Sequence, residues 1–132
     1  MSEVSFGVEG WDEYMAMGAL FIGWGPAVRG RELKALEEFQ EGLQFFGRLQ
    51  EQGEIQSFEP VALEPHGGDL TGFLLIKGDA DKLARLRASD DFIARITRAQ
   101  IVLENFGVSG AFIGEGLQSL FEDFGKQVAE LA

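Results

Sequence analysis

The chain contains no cysteine. Neither a disulfide nor a thiolate metal site can be built from it, and a reducing cytoplasm is compatible with its chemistry. Histidine occurs once, at position 66, so no imidazole cluster is available to hold a metal. Basic residues are scarce, with 11 Lys and Arg against 22 Asp and Glu and a net charge of −11. None occurs before Arg29. This balance disfavours nucleic acid and anionic membranes, both of which need a positive surface to release counterions. No apolar stretch approaches the length of a membrane span, and the start, Met1–Ser2–Glu3, is acidic where a signal peptide is basic. A cytoplasmic protein without nucleic-acid or membrane partners is expected. Gly–Lys–Ser/Thr is absent, which excludes a Walker loop, and no motif implies a cofactor.

What the chain does have is ample core material: 132 residues, 45% of them hydrophobic, with 12 Phe. That is enough for one domain. Strand–helix–strand can be read in it twice. A first strand spans Ala19–Pro26, with Leu20, Ile22 and Trp24 on one face and mostly small residues on the other. A helix follows over Glu32–Gln52, with the stripe Leu36, Phe39, Leu43, Phe46 and Leu49. Gly42 and Gly47 interrupt it at about 1 kcal/mol each, which predicts close packing of its backbone on the sheet. A second strand, Ile55–Leu63, carries Pro60 and is expected at an edge. The third, Gly72–Gly78, is so continuously apolar that burial on both faces is expected.

A helical region over Asp79–Gln100 breaks in two, with Asp79 and Ser89 as N-caps and Phe92, Ile93, Ile96 and Ala99 on its inner face. A fourth strand is expected over Ile101–Val108, and then an amphipathic helix with Leu117, Leu120, Phe121, Phe124, Val128 and Leu131. The order βαββαβ predicts an α+β fold of the ferredoxin-like kind: a four-stranded antiparallel sheet with helices on one face. Residues 18–114 form that domain. Residues 1–17, with Trp11 and Tyr14, form an apolar arm, and residues 115–132 an extra helix that packs on the same domain or on a partner subunit.

Several residues are site candidates. His66, in Pro–His–Gly–Gly–Asp, can act as a general base or simply stand exposed in a turn. Arg29 and Arg31 flank Gly30 where the first strand feeds the first helix, so Arg29 can anchor an anion at the helix N-terminus or pair with Glu32. Trp24, Phe58, Phe73 and Phe106 can line an apolar cavity or belong to the core. Carboxylate pairs such as Glu37–Glu38 and Asp90–Asp91 read as solvated or capping groups, and Lys82, Arg85, Arg87, Arg95 and Arg98 as locally matched charges.

Over Ala19–Val108 the sequence resembles the dimeric α/β-barrel superfamily, and within it the YCII-related proteins. Leu49–Gln50–Glu51–Gln52–Gly53–Glu54–Ile55 resembles the family's helix closing on glycine before its second strand, and Gly72–Phe73–Leu74–Leu75–Ile76 its third strand. Ser89–Asp90–Asp91–Phe92 resembles the turn before its last helix, with Asp91 at the place of the family's aspartate and Phe92 where a proline usually follows. The histidine that the family tends to carry in its first helix, to pair with that aspartate, has no counterpart between Gly30 and Gly53. The resemblance implies a homodimer whose curved sheets enclose a cavity. It leaves three functions open: a protein binding a small, partly apolar molecule between sheet and helices; a cofactor-independent lyase, isomerase or monooxygenase acting on an aromatic or lactone-like substrate, with His66 and Asp91 as catalytic candidates; or a protein-interaction module.

Overall fold

The structure, a computed structural model, describes residues 17–132. The elements in chain order are β1 (Met17–Trp24), α1 (Glu32–Glu51), β2 (Ser57–Ala62), β3 (Gly72–Asp79), α2 (Ala80–Arg87), α3 (Asp90–Val102), β4 (Gly107–Ala111) and α4 (Gly114–Leu131). The strands form one antiparallel sheet in the order β2-β3-β1-β4. This is the split-βαβ arrangement, with β1 and β3 central. Pro60 sits on an edge strand, where its missing N–H costs the ladder nothing. The expected arm lies outside the described residues except for Met17, which opens β1. No helix among the described residues is long and apolar enough to cross a membrane.

The pairing of Leu20 with Ile76 and of Ile22 with Leu74 puts these four side chains on one face, where α1, α2 and α3 cover them with Phe46, Leu83 and Phe92. Phe46, Ile22 and Ile76 are fully buried, each worth about 1.5–3 kcal/mol of apolar transfer. Side-chain caps open both α2 and α3. Asp79 accepts a hydrogen bond from the Lys82 N–H at 3.1 Å, and the Ser89 hydroxyl accepts from the Phe92 N–H at 3.3 Å while donating to the Leu86 carbonyl at 2.7 Å.

Four expectations are corrected. First, the fourth strand begins at Gly107, because α3 runs on to Val102. The helical period of Phe92, Ile96, Ala99 and Leu103 overrides the β-branched pair Ile101–Val102. The chain then bridges back to β1 through Gly25 N–H donating to the Glu104 carbonyl at 2.7 Å. A β-carbon on Gly25 would stand 2.8 Å from that oxygen, which is why glycine occupies the position. Second, the buried line of α1 is Ala35, Glu38, Gly42 and Phe46, one position round from the expected stripe, and Leu36 and Phe39 lie exposed at its margin. Third, β3 alternates: Gly72, Leu74, Ile76 and Gly78 are buried and Phe73, Leu75 and Lys77 only half-buried. Fourth, Ile93 is exposed rather than inward-facing.

Candidate functional site

Where β1 ends and β3 and β4 begin, α1 and α3 stand off from the sheet. The space between is a cavity of about 360 Å³, within the range of small-molecule pockets. Its floor is Ile22, Trp24 and Leu74. Its walls are Ala35, Phe39, Gly42 and Phe46 of α1, Ile96 and Ala99 of α3, and Leu103 and Phe106 from the link into β4.

Two glycines shape this space for different reasons. Gly72 pairs with Trp24 across the sheet, and a β-carbon there would lie 2.9 Å from the indole and 2.7 Å from the Val61 carbonyl. Its lack of a side chain gives the indole its place, and the ring meets Phe39 edge-on at 5.7 Å. Gly42 is the opposite case. It is buried, yet a β-carbon built on it meets no atom within 4 Å. The close packing expected from the α1 glycines is therefore absent, and Gly42 instead leaves the cavity open.

Beside Thr71 at the sheet, the cavity is lined by one charged cluster, and it joins α1 to α3. Glu38 is 8% exposed. One of its carboxylate oxygens accepts from Arg95 Nη1 at 3.0 Å, and the other pairs with Arg98 Nη2 at 2.8 Å. Arg95 Nη1 also donates to Glu41 at 3.1 Å, and the guanidinium carbon lies 5.8 Å from the centre of the Phe45 ring. Arg95 Nε is buried and makes no hydrogen bond among the described residues. Two glutamates and two arginines thus balance in charge, with Glu38 and Arg95 reaching the cavity. A buried pair such as this repays its desolvation only through good geometry and additional partners; the Glu38 oxygens and Arg95 Nη1 have them, and Arg95 Nε does not.

These residues were not legible as a unit. The Glu37–Glu38 pair reads as solvated and the arginines as locally matched, whereas Arg95 and Arg98 find their partners on α1, more than fifty positions away. One signal was present: Glu38 falls in step with Ala35, Gly42 and Phe46, a carboxylate on the inward line of a helix.

The other candidates are dispersed. Trp24 and Phe106 line the cavity. Phe58 packs into the core against Phe46, ring centres 6.0 Å apart, and does not reach the cavity. Phe73 lies on the opposite face of the sheet, 5.2 Å from Phe21. Arg29 is exposed in the β1–α1 loop, and the Gly30 N–H beside it donates to the carboxylate of Glu32, at 3.1 and 3.2 Å to its two oxygens. His66 is exposed on the β2–β3 hairpin. Its Nε2 donates to the Leu70 carbonyl at 2.7 Å and its Nδ1 accepts from the Gly68 N–H at 3.3 Å, so both ring nitrogens close the turn. Asp91 is exposed in the first turn of α3 and lines a second, more polar pocket of about 380 Å³ with Arg48, Arg95 and Arg98. His66 and Asp91 share no hydrogen bond and neither borders the cavity. Among the described residues no group of three His, Asp or Glu is placed to hold a metal ion.

No family model and no curated protein matches the sequence. Solved structures do match the fold. A dimeric protein of unknown function and ferredoxin-like fold from Bacteroides fragilis aligns with a TM-score of 0.54 at 12% identity, covering 74% of this chain and 97% of that one. SnoaB, a cofactor-independent oxygenase from Streptomyces nogalater, aligns with a TM-score of 0.52 at 17% identity, covering 75% and 96%. At such identities the likeness is one of fold, and the fold is ferredoxin-like α+β.

Proposed function

We propose that the chain is a homodimeric binding protein that holds a small, mostly apolar molecule in the cavity between sheet and helices. The observation that carries this reading is the cavity itself: mostly aromatic and aliphatic walls, with Thr71 and one charged cluster whose charges already compensate one another. A ligand bringing a net charge would find no free counter-charge on that wall and would have to leave water uncompensated. A neutral, flat ligand with one hydroxyl or amide donor suits the site better, because each oxygen of the Glu38 carboxylate has a further lone pair to offer. The dimeric ferredoxin-like protein from Bacteroides fragilis supports the homodimer. The resemblance of the third strand and of the Ser89–Phe92 turn to YCII-related proteins points the same way. An acidic, cysteine-free chain suits a reducing cytoplasm.

The competing reading, a cofactor-independent enzyme, has one observation in its favour, a carboxylate on the wall of an open cavity in a fold shared with an oxygenase. Both oxygens of that carboxylate are engaged by arginines, and His66 is spent on its own hairpin, which favours binding over turnover.

The test follows the indole N–H signal of Trp24, one of two tryptophans, by NMR in a Trp11→Phe background. Saturable shifts are expected with naphthalene and 1-naphthol, stronger with the naphthol, and none with 1-naphthoate. If none of the three compounds shifts the Trp24 signal, the cavity is not a binding site. Consumption of a bound compound under air would replace binding by catalysis.

A further inference from the structure

At the end of the sheet where β1 begins, the described residues leave a groove of about 590 Å³ between α2 and the strands. Its floor is Gly18, Leu20 and Gly110, and its wall is Ala80, Ala84 and Ala88 on the side of α2. These side chains are small, which is what makes the groove wide. Gly110 pairs with Leu20, and a β-carbon built on it meets nothing within 4 Å. Ala80, Ala84, Ala88 and Gly110 are exposed, as is Phe112 at the rim. The cavity beside Trp24 lies at the other end of β1, eight residues or about 26 Å away, so the two are separate sites.

We propose that residues 1–16 of the same chain fold back over this groove and seat Trp11 and Tyr14 against the small side chains of α2. Three observations favour this occupant. The first is the point of entry. The segment joins β1 at Met17, next to Gly18 and Ala19, so the groove begins where the segment ends. Reach is ample: the six residues from Trp11 to Met17 extend to about 20 Å, against about 12 Å for the eight residues of α2. The second is side-chain size. Phe6, Val8, Trp11, Tyr14 and Met15 supply the bulk that glycine and alanine leave out of the groove. The third is charge. The segment carries Glu3, Glu9, Asp12 and Glu13 and no cation. Arg87 is the one charged residue lining the groove; its Nη2 donates to the Val108 carbonyl at 3.3 Å, and it forms no ion pair among the described residues. Lys82, Arg85 and Arg87 stand against Asp81 along α2, a basic helix in a chain of net charge −11, and the adjoining Asp79 is engaged as its cap. A segment tethered at the mouth of its groove has an effective concentration on the order of millimolar, which favours it over a second chain. The proposal stands whether or not the protein is a homodimer.

Because the chain lacks cysteine, introduced thiols report only their own contacts. Asp12→Cys with Ala88→Cys keeps both aromatic side chains and is expected to close a disulfide within one chain under mild oxidation. Closure should be at least about tenfold faster than for Asp12→Cys with Lys77→Cys, whose second thiol lies on the opposite face of the sheet. Faster closure with Lys77→Cys places the segment on that other face, and a disulfide between two chains places it on a partner. Either overturns the proposal, as does the absence of any link. A second measurement needs no thiol and covers the case in which a cysteine variant folds poorly. In a Trp24→Phe background Trp11 is the only tryptophan, and its emission is expected to be blue-shifted and shielded from acrylamide. Ala84→Glu, which puts bulk and negative charge into the groove, is expected to abolish both properties. Emission like that of a solvated indole, or emission indifferent to Ala84→Glu, removes residues 1–16 from the groove.

Discussion

Gly42 separates two physical accounts of α1, and substituting it tells them apart. In the middle of a helix, glycine costs about 1 kcal/mol relative to alanine through the backbone freedom it must lose. Evolution tolerates that where a neighbour presses against the backbone or where a side chain would fill a needed space. The structure supports the second cause, since a β-carbon at Gly42 meets nothing within 4 Å and the residue borders the cavity. Gly42→Ala is therefore expected to stabilise the protein by about 1 kcal/mol, or about 3–6 °C in Tm for a domain of this size. Gly47 provides the control. It is equally unobstructed but does not border the cavity, so Gly47→Ala should give the same gain and leave ligand binding untouched. Gly42→Leu should keep the fold while weakening 1-naphthol binding at least tenfold, about 1.4 kcal/mol. Thermal unfolding and NMR titration of the three variants complete the assay. A fall in Tm for Gly42→Ala beside a rise for Gly47→Ala would show that the helix backbone is pressed on the sheet after all. Unaltered binding by Gly42→Leu would place the ligand elsewhere.

Three further outcomes are expected. Glu38→Ala strips Arg95 of its best partner in a largely buried setting; with Glu41 still holding Nη1, a loss of about 2–4 kcal/mol is expected in chemical denaturation, and Glu38→Gln, which keeps an acceptor, should lose less. Ser89→Ala removes the cap between α2 and α3 and should cost about 1 kcal/mol by the same measurement, without affecting binding. His66→Gln should stay within about 1 kcal/mol of the parent and bind 1-naphthol unchanged, because the ring serves only the hairpin; a loss of binding would return His66 to the site.

How much of this could be read along the chain depended on the range of the interaction concerned. Local rules were sufficient for the break at Ser89, the cap at Asp79, the edge position of Pro60 and the order βαββαβ, since each rests on neighbours within a few residues or on a period of two or 3.6. The inward line of α1 was less accessible. Two stripes one position apart compete there and share Phe46; Ala35, Glu38 and Gly42 are buried, while the more hydrophobic Leu36 and Phe39 stay exposed at the edge of the cavity. The end of α3 misled in a similar way, with Ile101 and Val102 carrying strand propensity into the last turn of a helix whose packing was already decided upstream.

The amino-acid sequence by itself determined the fold class, the acidic surface and the amphipathic nature of the C-terminal helix, all properties of composition or short period. Only the tertiary structure decided the site. It brought Trp24 and Phe106 to one cavity and sent Phe58 to the core, Phe73 to the other side of the sheet, and Arg29, His66 and Asp91 to the surface. It also paired Glu38 with Arg95 across 57 positions. No local signal encodes such a pairing, because what selects a partner for a buried charge is the packing of α1 against α3 over the sheet, and that exists only once the chain has folded.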